Sequence, residues 1–181
     1  MNIRKILSLA FAATLLFTTS CTTDSTEEVV ETTYDKGILI MNEGGFTTPT
    51  AEVSFVTDDL SLVANKIYSG KNKEILGNVL QTIGFSDGNA YLVSNVPNKI
   101  DIVNRYTFKQ QATVTTNLQG PRYIAFSGNQ YYVTNNLSGA TKLNVYNKDN
   151  TFVKSITFDR YAEKVVEGFT VVMVYPVGKA L

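Results

Sequence analysis

The side chains able to do chemistry in this sequence are few, and the missing types decide more than the present ones. There is no histidine, and the single cysteine is Cys21. Metal sites built on His and Cys, and nucleophiles activated by a histidine base, are excluded on that ground. Seven residues remain that could meet a ligand: Glu43, Phe46, Asn95, Asn98, Arg122, Asn135 and Asn136. Glu43 offers a general base or a polar contact, although nothing in the sequence pairs with it. Phe46, in a Gly-flanked loop without neighbouring apolar pattern, offers an aromatic anchor or packs beneath its own loop. Arg122 offers its fixed charge to an anionic group or to an ion pair within the fold. Asn95 and Asn135 end strands, where a side-chain amide either contacts a ligand or bonds nearby backbone.

These residues are placed by a tandem repeat. Tyr131-Tyr132-Val133-Thr134-Asn135 resembles Tyr91-Leu92-Val93-Ser94-Asn95, forty positions earlier, and the neighbours follow. Thr82 to Phe85 falls over Tyr123 to Phe126, and Lys99 to Asn104 over Lys142 to Asn147. Each unit reads as four short strands, and a period near forty with four strands predicts an all-β chain of β-propeller blades. The expected blades cover residues 37–68, 81–114 and 121–158, with a broken fourth at 162–181. In an up-and-down blade the loops after the second and fourth strands share one face. That face carries all seven candidates, while the Asp87-Gly88 and Gly128-Asn129 turns leave on the other. Tyr131 and Tyr132 alternate faces, so at least one is core.

Sixteen basic residues balance sixteen acidic ones, with no dense Lys/Arg run to follow a phosphate backbone, so nucleic acid is not an expected partner. Arg4 and Lys5 precede an apolar run at 6–17 that is too short to span a bilayer, the pattern of a secretory signal over residues 1–20. Residues 21–36 then form an acidic, polar tether. The small residues before Cys21 resemble a bacterial lipobox, in which cleavage leaves the cysteine as the acylated N-terminus. The acidic stretch after it resembles the surface-export signal of Bacteroidota lipoproteins.

The first unit begins at its second strand, Gly37 to Asn42, and continues through Glu52 to Val56 and a fourth strand near Leu62 to Tyr68, before a polar connector at 69–79. Beyond Gly168 the repeat pattern is lost, along with the hairpin turn and terminal Asn, as expected of a frameshift, a truncation or a short terminal strand.

Tyr132-Val133-Thr134-Asn135 resembles the motif of YVTN-repeat propellers, and Asn42-Glu43-Gly44 resembles the first blade of such surface lipoproteins. The resemblance implies a seven-bladed propeller, of which this chain holds three and a fraction. It further implies a non-catalytic, lipid-anchored outer-membrane protein that binds a small molecule or a partner protein. One specific form would be a corrinoid-capturing lipoprotein serving an outer-membrane transporter. A structural or adhesive surface-layer role is the alternative, with a propeller hydrolase or lactonase behind it. No metal or cofactor is expected.

Overall fold

The structure, a computed structural model, describes residues 33–137, 140–168 and 172–176. The expected signal sequence, Cys21 and most of the expected tether lie outside the described residues.

Strands β1 (Gly37–Asn42), β2 (Glu52–Thr57) and β3 (Val63–Ala64) form one antiparallel sheet in that order. Four-stranded antiparallel sheets follow from β4 (Val79–Ser86), β5 (Asn89–Val96), β6 (Asn98–Asn104) and β7 (Gln110–Val114), and from β8 (Pro121–Ser127), β9 (Gln130–Leu137), β10 (Ala140–Asn147) and β11 (Phe152–Phe158). β12 (Ala162–Glu167) pairs with β13 (Val172–Pro176). The described residues are therefore all-β apart from one short helix, and each sheet is a simple meander. Short alternating strands bounded by turn residues produce this, and the turns themselves behave as their residues dictate. Asp87 and Gly88 both take positive φ, at 49° and 77°, as a type I′ hairpin requires.

Three apolar layers separate the sheets. Val53, Phe55, Leu80, Ala90 and Leu92 fill the first, between the sheet of β1 and that of β4. The second holds an aromatic series: Phe126 and Tyr91 (4.8 Å between centroids), Tyr91 and Tyr131 (5.5 Å), then Tyr131 stacked on Tyr146 at 5.0 Å. Ala125, Leu143 and Val165 form the third, against β12. Tyr131 is fully buried, whereas Tyr132 is half-buried on the opposite side of its strand, in keeping with the expected alternation.

The strand expected near Leu62 to Tyr68 is corrected. Only Val63 and Ala64 pair with β2, and the chain then turns at Lys66 (φ 55°) into helix α1, Ile67–Asn72. The cause lies in the preceding strand. The buried Glu52 carboxylate accepts the backbone N–H groups of Tyr68 (3.1 Å) and Ser69 (3.2 Å), supplying the acceptors that the first helical turn lacks.

The register also corrects the repeat. Gly84 pairs with Tyr91, Ala125 with Tyr132 and Val166 with Met173. Forty-one positions, not forty, therefore separate equivalent residues in these hairpins. Both described turns hold two residues, Asp87-Gly88 and Gly128-Asn129, so the sequence match of Tyr91 with Tyr131 is out of step by one. A slip of one reverses which face each side chain occupies. The structural counterpart of Asn95 is Asn136, and that of Asn135 is Ser94. The forty-one-residue phase also continues through β12 and β13, across the point where the sequence pattern breaks.

Candidate functional site

The first strands lie side by side, β4 next to β8 and β8 next to β12. Their starts, together with the ends of β1, β5 and β9, meet the loops that carry the candidates. Gly44 allows the loop at 43–51 to fold back: its φ is 88°, and a Cβ there would strike Ala51 backbone and the Asn78 carbonyl. Asn78 then donates through Nδ2 to the Phe46 carbonyl (2.9 Å), and Leu80 N–H donates to the Glu43 carbonyl (2.9 Å). Held this way, Phe46 is 74% exposed, so the candidate side chain faces solvent rather than packing beneath its loop. Glu43 is exposed, with one long contact from Gln81 Nε2 at 3.4 Å.

Two of the asparagines serve the scaffold. Asn135 is 3% exposed; its Oδ1 accepts Gln119 N–H (3.0 Å) and its Nδ2 donates to the Val133 carbonyl (3.0 Å). Asn98 Oδ1 accepts Gly120 N–H at 2.9 Å, joining the second sheet to the third. Gly120 needs its φ of 59° for this approach, since a Cβ would come within 2.6 Å of the Asn136 carbonyl.

Arg122 pairs with Glu163. Its Nε and Nη2 both donate to Glu163 Oε1 at 2.7 Å, and Asn136 Nδ2 donates to Oε2 at 2.8 Å. Thr134 Oγ1 donates to the Glu163 backbone carbonyl (2.8 Å), tying β9 to β12. The Tyr161 hydroxyl belongs to the same cluster. Burial raises its pKa first, the Glu163 carboxylate raises it further, and Arg122 opposes both.

The residues therefore fall into two rows in register. Glu43, Asn95 and Asn136 occupy equivalent places at the ends of second strands, and Gln81, Arg122 and Glu163 occupy equivalent places near the starts of first strands. Contacts join the rows at Glu43–Gln81 and Asn136–Glu163. At the middle junction Arg122 turns to Glu163 instead, and Asn95 Oδ1 is buried without a hydrogen-bond partner, as is Asn136 Oδ1. Reasoning from sequence missed Glu163. Counting forty-one from Gln81 to Arg122 and again to Glu163 would have found it.

A separate cleft of about 180 Å³ lies beside α1, lined by Pro49, Ala51, Glu52, Lys66, Ser69 and Leu76 among others. Its carboxylate, Glu52, is already committed to backbone N–H groups. Among the described residues, no three Asp, Glu, Cys or His side chains gather as a metal site would require.

The fold and the loop face define a protein of successive antiparallel sheets that presents one polar edge with an exposed aromatic. Residues 36–165 match the family described as a domain of unknown function, DUF5074, and the chain belongs to that family. No curated protein matches it.

Proposed function

We propose that the sheets are blades of a β-propeller of YVTN-like type, and that the protein is a non-catalytic, lipid-anchored binding protein of the outer membrane. Acylated Cys21 holds it in the lipid, and the loop face captures a small molecule or a partner protein for an outer-membrane transporter. Capture of a corrinoid is the specific form. The observation that supports this most is the solvent-facing Phe46 ring on a polar edge: an apolar anchor in the same loop as Glu43, with the Arg122–Glu163–Asn136 cluster farther along the same rows of strand ends. A large ligand with an apolar body and peripheral amide or hydroxyl groups would use both kinds of contact. The Tyr132-Val133-Thr134-Asn135 and Asn42-Glu43-Gly44 likenesses supply the propeller and surface-lipoprotein parts.

Absorption titration of the purified full chain with a corrinoid tests the specific form. Saturable spectral change is expected, weakened about tenfold or more by Phe46→Ala. No spectral change would remove corrinoid capture. Absence of any thermal shift across a panel of small nutrients would remove small-molecule binding altogether.

A further inference from the structure

The repeat register shows which face of each sheet receives the sheet before it. Leu92 and Val133 are equivalent, being paired with Asp101 and Asn144, and these in turn take hydrogen bonds from Thr113 Oγ1 and Ser155 Oγ, both at 2.7 Å. In the first sheet Ile40 is paired with Ser54, which bonds Asn65 on the far side at 3.0 Å. Ile40 is thus the counterpart of Leu92 and Val133, and Ile38 that of Ala90 and Tyr131. Ala90, Leu92, Tyr131 and Val133 are all 0% exposed, each covered by the preceding sheet, whereas Ile38 and Ile40 are 54% and 43% exposed. Ile38 also lies in register with Val56 and, beyond it, with Val63, which is 59% exposed. This is an apolar face of the kind that receives a sheet of the same repeat.

The complementary face lies at the other end. Gly84 packs directly beneath Ile124 and Phe126, and its equivalent Ala125 packs on Val165. Their counterpart on β12 is Val166, which is 37% exposed and has exposed Lys164 beside it on the same face. We propose that a second copy of this chain docks the Val166 face of its β12–β13 sheet over the Ile38–Ile40 face of the first sheet, continuing the succession head to tail. Such a contact is heterologous: one copy contributes the first sheet and the other the last. Asn42, Ser54 and Asn65, linked by hydrogen bonds of 3.0 Å, take the place of the Asp101 and Asn144 stripes. Asn144 meets the preceding connector through the Asn117 carbonyl at 2.7 Å, so the stripe in the first sheet is where the incoming copy's backbone lands.

Sedimentation velocity of the purified full chain over a wide concentration range tests this. Association that rises with concentration is expected. Ile40→Glu and Val166→Glu should each weaken it by about a hundredfold or more, because each would place a carboxylate in an apolar contact that removes it from water. Both positions are exposed in the single copy, so circular dichroism of each variant should match that of the wild type. An equimolar mixture of the two variants retains one intact junction and should give a dimer and nothing larger. Hydrogen exchange gives a second measurement on the unsubstituted chain: amides of residues 37–42 should gain protection with concentration. A monomer at every concentration would overturn the proposal, as would wild-type association by Val166→Glu. Protection of residues 37–42 that does not change with dilution would overturn it too, since a segment of the same chain would then cover the face.

Discussion

Asn135 and Asn95 end two similar pentapeptides, yet the structure predicts opposite responses to truncation. Asn135→Ala removes two hydrogen bonds of 3.0 Å from a side chain that is 3% exposed. Each such bond contributes about 1 kcal/mol net, and Gln119 is exposed so that water can replace its acceptor, for a total of about 2 kcal/mol. Asn95 Oδ1 has no partner to lose, so Asn95→Ala relieves one buried unsatisfied acceptor and should change stability by less than about 0.5 kcal/mol in either direction. Urea unfolding followed by circular dichroism, with the slope held common, measures both. A loss of about 2 kcal/mol corresponds to about 4–8 °C in Tm for a domain of this size. Equal losses at the two positions would refute the forty-one-residue register and restore the forty-residue match.

Three further outcomes follow from particular contacts. In a double-mutant cycle of Arg122→Met and Glu163→Gln, the coupling should be about 1 kcal/mol, above a fully exposed pair because the side chains are only 30% and 15% exposed; zero coupling would remove the cross-sheet ion pair. Leu92→Ala empties a fully buried site in the first apolar layer and should cost about 3 kcal/mol, read as a lower urea midpoint; a loss below about 1 kcal/mol would contradict that burial. Asp59 is held down to about 2 by the Thr57 hydroxyl first and then by Ser61. Because the folded value is the lower one, any stability this turn contributes is complete above the ordinary carboxylate range and fades as pH falls through about 2. NMR titration should find that midpoint, and Thr57→Val should raise it; an ordinary carboxylate value in the unsubstituted chain would refute the capped turn.

Much of the architecture was legible because local chemistry carries it. Alternating strands, the Asp87-Gly88 turn with two positive φ angles, and the shared loop face all follow from residue types and spacing. So did the ion pair as one of two fates for Arg122, and the backbone bonding of Asn135. The helix at Ile67–Asn72 was not legible, because its capping acceptor is Glu52, distant in sequence and belonging to another strand. Nor was Glu163, since no local pattern around it marks a partner for Arg122 and Asn136.

The sequence by itself determined that the chain repeats, that the repeats are antiparallel hairpins, and which loops gather. Only the tertiary structure decided the phase. Matching residue types placed Tyr131 over Tyr91, but the hydrogen-bond ladder across two-residue turns places Tyr132 there. Side-chain direction in a strand alternates with every residue, so the ladder alone decides that Asn135 fastens the scaffold while Asn136 reaches Glu163 on the polar edge.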